Sequence, residues 1–525
     1  MLWLALASCS TAAAAAAVAL ALRLDPAERR ALLVLCAAFA ASAVLSPNSY
    51  LHDHWEHFRN ARAVLHQPER LLSLWDRPGF LLLYAAPAQL GLRAARLMSA
   101  VPAAIAVAGT MLAARGLGVP RPWLVGLMAG TQLDFFGEAS STMTELLFAA
   151  GLAVALWGWV TDRPWRAAAG LAFLALTRPE APLYAFLGAG ALLLRHRRAG
   201  PPALALGPLA AFLGVGAMVR GDALWFVHAS AGDARLRLEA RQLRESFFYR
   251  AWWESQPGVL WVLQAAGAVR ACLPSGRRLA FLLAPLLVCW LLLTFLSIGR
   301  ADWWRQSRYL VAMAPPLALL AGQGLAWLEE RLPATAPLWS LLAAALAGGA
   351  TWLDRSRLAT AHPLPALIAF FAALALLAAV LFAARRRLPW TVSLGGLLLA
   401  PLVLAAPGSF ARHRPSVGER LDAAAVRWLQ ALPVRPASVG WNTPALRQAC
   451  EAEIADPCPL PLDPQATLDA PPGTILVRQE MASAPDPGPP PGWRAVWRAE
   501  DGDWSGPQIR PRWVGTRAVA WERAR

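Results

Sequence analysis

The chain is constrained first by the recurrence of apolar segments close to membrane-spanning length. They fall at 2–22, 31–46, 97–114, 123–136, 142–160, 167–177, 181–194, 202–219, 257–270, 279–298, 310–328, 336–352, 364–384 and 390–407. A spanning helix needs about 20 apolar residues, and only structures that satisfy their own backbone hydrogen bonds cross hydrocarbon. The 525 residues are 57% hydrophobic, above the roughly 45–50% of soluble domains, and the excess sits in these blocks. The expected fold is therefore an α-helical polytopic membrane protein of about 12–14 spans. Near the start, Leu6-Ala7-Ser8-Cys9 resembles a lipoprotein cleavage box. No basic region precedes it and the apolar run before Cys9 is short, so residues 2–22 read as a first span.

The connections test this map. All 49 basic residues are arginine, and the formal net charge is +16. Arginines mark alternate short loops: Arg23, Arg29 and Arg30; Arg115 and Arg121; Arg163 and Arg166; Arg195, Arg197 and Arg198; Arg270, Arg277 and Arg278; Arg331; Arg385 to Arg387. Short basic loops belong on the cytoplasmic side. The longer loops of mixed charge, 46–78, 220–256 and 299–309, then lie on the outer side with the N-terminus and the tail. No zinc-finger spacing or recognition-helix signature accompanies the arginines, so nucleic acid is not an expected partner. Residues 79–92 are apolar but short, which suits an interfacial or re-entrant segment. Residues 234–254 alternate arginine and glutamate with Leu, Phe and Trp at near-helical spacing, which suits a helix on the outer membrane surface.

Two domains are expected: a membrane domain over 1–407 and a small soluble, extracytoplasmic α/β domain over 408–525. The tail loses apolar content and gains proline. GERLDAAAVRWLQAL (418–432) reads as an amphipathic helix, and 437–441, 474–478, 494–499 and 517–521 read as short strands. Cys450 and Cys458 lie in the tail, open to a disulfide if that compartment is oxidising. No C-x-x-C pair occurs, which argues against a zinc or thioredoxin-type site.

The interval between the second and third apolar segments, Ser46 to Phe80, concentrates ionisable groups. It holds His52, His54, His57, His66, Asp53, Glu56, Glu69, Asp76 and four arginines, among them Arg77. Asp53 and Glu56 share a helical face, with His57 one turn from Asp53. A carboxylate there could take a proton from a hydroxyl. His54 and His57 are weak candidate ligands for a divalent cation. The spacing fits a solvated polar loop as well. Two later outer junctions carry arginine. In Thr177-Arg178-Pro179-Glu180 the arginine reads either as an ion pair with Glu180, as a snorkelling side chain, or as a phosphate clamp. In Gly299 to Tyr309 the residues Arg300, Arg305 and Arg308 run against the positive-inside bias. They read as headgroup ligands, or as anchors together with Trp303, Trp304 and Tyr309.

The order of these features resembles the GT-C superfamily of polyprenyl-phosphate-sugar-dependent glycosyltransferases, the class of the protein O-mannosyltransferases and the lipid A aminoarabinose transferase. The similarity covers roughly 45–330. It is carried by the acidic first outer loop, WDRPGF followed by LLLYAAPAQLG, AARLMSAVPAAIAVAGTMLAARGLG, STMTELLF, LALTRPEAPL and SRYLVAMAPPLALL. The resemblance implies an integral protein of the bacterial inner membrane that moves a sugar from a polyprenyl-phosphate donor to a glycan, lipid or protein acceptor. Asp53 would be the base, with Glu56 beside it, and single displacement would invert the anomeric carbon. Arg178 and Arg308, with Glu180 and Tyr309, would hold the lipid phosphate, and Asp76 and Arg77 would line the same site. Many members carry adjacent acids, whereas Asp53 is followed by His54; this leaves the role of Glu56 and the need for a divalent cation open. A transporter or flippase of lipid-linked glycans and a glycan ligase are the rival readings. A transporter would place its ionisable groups at mid-membrane on broken helices, and the groups here map to the outer ends of spans.

Overall fold

A computed structural model describes residues 2–45, 51–226, 228, 258–299 and 307–331, and in the C-terminal part 424–425, 427–429, 431–432, 439–441, 459–460, 474–481, 493–501 and 516–523. The apolar segments between 336 and 407, the 234–254 stretch, and Cys450 and Cys458 lie outside the described residues. The chain divides into two compact units. One comprises Met1–Ser46, Asn60–Leu353 and Leu367–Ala406, and the other Pro47–Arg59, Asp354–Ala366 and Pro407–Arg525.

The first unit is helical. Its elements are α1 (Leu2–Ala21), α2 (Pro26–Leu45), α4 (Pro78–Gln89), α5 (Leu92–Met98), α6 (Ala100–Gly116), α7 (Pro122–Gly130), α8 (Leu133–Glu138), α9 (Glu145–Val160), α10 (Pro164–Leu174), α11 (Ala181–His196), α12 (Gly200–Arg220), α13 (Gly258–Cys272), α14 (Leu283–Gly299) and α15 (Ala314–Arg331). Helix α3 (Leu51–Ala63) starts in the second unit and ends in the first. Among the described residues four helical stretches are long and apolar enough to cross a membrane: Trp3–Ala21, Leu92–Gly116, Gly200–Arg220 and Arg308–Arg331.

The core of this unit is built from α2, α6, α7, α9 and α15, with Phe39, Met111, Leu124, Phe148 and Leu319 buried together. Small residues let the helices approach, as expected where lipid tails compete with side chains for apolar contact. Helix α9 lies so close to α10 that a Cβ on Gly170 would sit 2.5 Å from the Ala155 nitrogen, and one on Gly158 2.3 Å from the Ala167 nitrogen.

Two local features differ from the sequence expectation. The apolar run 123–136 is not one helix: it breaks between α7 and α8 at Thr131 and Gln132, whose polar side chains turn onto the Leu127, Met128 and Ala314 carbonyls. The segment 79–92, expected to be interfacial or re-entrant, forms α4, most of which is buried inside the bundle and packed against α1 rather than laid on its surface. Its short length is compatible with that position because protein, rather than lipid, surrounds it.

The second unit carries a five-stranded sheet in the order β2-β1-β3-β5-β4. The strands are β1 (Val439–Trp441), β2 (Pro459–Leu460), β3 (Ile475–Met481), β4 (Trp493–Asp501) and β5 (Thr516–Arg523). Strand β1 pairs in parallel with β2 and β3, and β5 pairs antiparallel with β3 and β4, with a bulge between Ala495 and Trp497. Arg494 and Glu522, opposite each other across β4 and β5, join through two hydrogen bonds of 3.0 and 2.6 Å. Four of these strands coincide with the stretches expected to be extended. Residues 424–425 and 427–429 are helical, within the expected 418–432 helix.

Candidate functional site

Within the helical unit, three arginines and a group of carboxyls converge in the protein interior. The first arginine is set by the start of α4. Pro78 stands at the first helical position, where its missing N–H costs nothing. Gly79 follows and donates its N–H to the Leu176 carbonyl at 2.9 Å, an approach so close that a Cβ would lie 2.8 Å from that oxygen. Only glycine permits it. This contact ties the Trp75-Asp76-Arg77 turn to the α10–α11 connection that carries Arg178. Arg77 caps α4 with φ of 60°, a left-handed conformation uncommon outside glycine.

Arg77 is 2% exposed. Among the described residues its Nε and Nη1 atoms have no hydrogen-bond partner, and its guanidinium lies 5.2 Å from the centre of the Phe226 ring. Burial pushes its pKa down to about 10, with the Glu180 carboxylate opposing that shift and Arg178 adding to it. Asp76, next to it, is turned aside: its carboxylate accepts from the Asn60 amide at 2.8 Å and the Ser73 hydroxyl at 3.1 Å.

Arg178 is the reverse case. It is buried, and its Nη1 meets Glu145 at 2.6 Å and donates to the Thr144 hydroxyl at 3.1 Å, while its Nε bonds Glu180. Burial works against its charge, but the Glu145 and Glu180 carboxylates overcome it and hold the pKa above the usual value. Arg308 stands 3.7 Å from the same Glu145 oxygen. The Tyr309 ring lies between the two cations, 5.1 Å from Arg178 and 5.3 Å from Arg308.

The acidic side is delivered by the α8–α9 connection. Arg96 donates to the Ser140 carbonyl at 2.8 Å. Ser99, which is hydrogen-bonded to Tyr84 at 2.8 Å, bonds the Ser141 carbonyl. These contacts fix the turn from which Glu145 enters α9. Glu138, at the end of α8, is fully buried, and among the described residues neither of its carboxyl oxygens is hydrogen-bonded. Burial and the nearby Glu145 carboxylate raise its pKa well above the usual range, against the pull of Arg308 and Arg178.

Of the residues expected in a site, the structure thus gathers Arg77, Arg178, Glu180, Arg308 and Tyr309, with Asp76 beside them. Arg178 stands in ion pairs. It pairs with Glu180 as one reading had it, and also with Glu145. Asp53 belongs to the unit formed by Pro47–Arg59 and the tail, on the helical backbone of α3, and its side chain lies outside the described residues. Glu56, half-buried, stands 3.9 Å from Arg59; His54 and His57 are buried. Among the described residues no group of three His, Cys, Asp or Glu side chains could hold a metal ion. Glu145, Glu138 and Thr144 were not expected. Glu145 was visible only as the first residue of an apolar helix in STMTELLF, where a lone acid also reads as an ordinary N-terminal carboxylate.

The helical unit with its candidate spans and the small C-terminal sheet describe an integral membrane protein with a distinct C-terminal domain, and likeness to two solved structures gives it a GT-C-like fold. The solved structure of ArnT from Cupriavidus metallidurans bound to undecaprenyl phosphate is similar to it with a TM-score of 0.59 at 15% identity, covering 93% of this chain and 97% of that one. The same protein in the apo state gives a TM-score of 0.56 at 16% identity over 85% and 92%. No protein-family model and no curated protein matches the chain.

Proposed function

We propose that this chain is a glycosyltransferase that moves a sugar from a polyprenyl-phosphate donor to an acceptor hydroxyl at the outer face of the membrane. The observation that carries the reading is the Arg77 guanidinium. It is buried, among the described residues lacks hydrogen-bond partners on two nitrogens, and neighbours Arg178, which shares Glu145 with Arg308, inside a fold similar to that of ArnT, whose solved structure holds undecaprenyl phosphate. An unpartnered buried cation is costly, and an anion of matching geometry relieves the cost; guanidinium suits phosphate oxygens. The role of Asp53 rests on the resemblance of the first outer loop described above. In this reading it takes the proton of the acceptor hydroxyl as the hydroxyl oxygen bonds to the anomeric carbon. The bond from that carbon to the donor phosphate breaks, and the lipid phosphate leaves with its charge held by Arg77 and Arg308. Arg178, committed to two carboxylates, orients this cluster and has less capacity for phosphate. Positive charge placed where negative charge develops is the usual largest contribution to such a transfer.

The test uses the full-length protein in lipid vesicles with a polyprenyl-phosphate sugar. Asp53→Asn should lower transfer by about 10²–10⁴-fold, the usual contribution of a general base, while leaving the affinity for undecaprenyl phosphate unchanged. Arg77→Gln should weaken that affinity. Undiminished turnover in Asp53→Asn removes the base. Failure of the unaltered protein to bind the lipid phosphate removes the reading as a whole.

A further inference from the structure

At one end of the helical unit, away from the site above, a second set of arginines gathers without carboxylates to match. Arg166, at the start of α10, stacks on Trp157 with its guanidinium 3.6 Å from the ring centre, and Arg23, just after α1, lies 5.5 Å from the same ring. Arg195, near the end of α11, stacks at 4.6 Å on Trp159. Arg163 is exposed, and its charge and that of Arg23 both act on Arg166. The nearby acids are already used. Asp25 and Glu28 pair with Arg115, and Asp162 pairs with Arg195 at 3.0 Å. Among the described residues Arg23, Arg163 and Arg166 form no ion pair.

These cations sit at the boundary of apolar helices. The candidate span Trp3–Ala21 ends two residues before Arg23, and the apolar helix Glu145–Val160 ends just before Arg163. Exposed apolar side chains adjoin them in sequence: Leu22 is 70% exposed beside Arg23, Leu194 82% beside Arg195, and Trp165 57% between Arg163 and Arg166. Unmatched guanidiniums next to exposed Leu and Trp are complementary to a molecule with a phosphate joined to acyl chains. The indole faces hold the guanidiniums in place, so less side-chain entropy is lost when an anion binds.

We propose that Arg23, Arg163 and Arg166, set on Trp157, form a binding site for the headgroup of an anionic phospholipid. The site is independent of the donor cluster and goes beyond the positive-inside signal, because topogenic charge needs no stacked geometry and no lipid preference. The experiment is native mass spectrometry of the full-length protein in mild detergent, titrated with phosphatidylglycerol and with phosphatidylcholine of the same chains. The unaltered protein should retain phosphatidylglycerol in preference. At about 5-fold per arginine near a membrane surface, the Arg23→Gln/Arg166→Gln variant should lose about 30-fold in that affinity. The corresponding double lysine variant should fall between, since lysine keeps the charge but not the planar stacking. If the double glutamine variant does not stay monodisperse, Arg163→Gln alone should still cost about 5-fold. Equal retention of the two lipids by the unaltered protein overturns the proposal, as does an unchanged phosphatidylglycerol affinity in a well-folded variant. Displacement of the lipid by millimolar inorganic phosphate would assign the site to a free anion and overturn the lipid assignment.

Discussion

Glu145→Gln tests whether one carboxylate holds the arginine cluster together. Glu145 is 1% exposed, and one of its oxygens faces Arg178 Nη1 at 2.6 Å and Arg308 Nε at 3.7 Å. Among the described residues Glu145 and Glu180 are the carboxylates that pair with Arg178, and Glu145 also faces Arg308, so the substitution removes one negative charge from a buried cluster that holds three arginines. Breaking a buried pair costs about 3–5 kcal/mol. Glutamine keeps an acceptor for the Arg178 hydrogen bond, which places the cost at the lower end, about 3 kcal/mol. The measurement is resistance to unfolding by titrated SDS in mixed micelles, read by tryptophan fluorescence. Glu522→Gln, which breaks the pair with a 70% exposed Arg494, is the control and should cost under about 1 kcal/mol. Because Glu145 and Arg308 touch, Glu145→Gln and Arg308→Gln should be less than additive by about 0.5–3 kcal/mol. A Glu145→Gln protein within about 0.5 kcal/mol of the parent, or strict additivity with Arg308→Gln, would refute the bridge.

Arg77→Gln should stabilise the ligand-free protein while weakening lipid-phosphate binding. The folded pKa of Arg77 is depressed to about 10, so below that pH the buried cation opposes folding in full. Between about 10 and the usual guanidinium value the unfolded chain binds more protons, and stability rises with pH through that window. Removing the charge should gain on the order of 1–3 kcal/mol at pH 7–8, and a lower SDS resistance than the parent would contradict the assignment. Gly170→Ala should push α10 off α9, since its Cβ would lie 2.5 Å from the Ala155 nitrogen; a cost of about 1–3 kcal/mol is expected, and a fully parental unfolding midpoint would show that the two helices have slack.

The apolar periodicity made the helical membrane architecture legible, and alternation made the tail strands legible, because both patterns repeat over many residues. The break between α7 and α8 was not, because Thr131 and Gln132 interrupt the apolar run only briefly and their effect depends on carbonyls supplied by the fold, one of them 182 residues away at Ala314. The site shows the same limit more sharply. Sequence could name Arg178 and Arg308 as cations out of place, since an arginine near a span end is unusual wherever it falls on the outer side, and Arg77 entered through the family resemblance. It could not rank them. Arg178 meets Glu145 from 33 residues earlier, and Arg77 meets none of the three acids closely enough to hydrogen-bond through Nε or Nη1. The difference follows from Gly79. By admitting the Leu176 carbonyl at 2.9 Å, it brings Arg77 beside Arg178, whose guanidinium takes both Glu145 and Glu180. Among the described residues the three arginines therefore divide into one that pairs with two carboxylates, one that shares a carboxylate, and one, Arg77, whose Nε and Nη1 meet no hydrogen-bond acceptor while its guanidinium lies over Phe226.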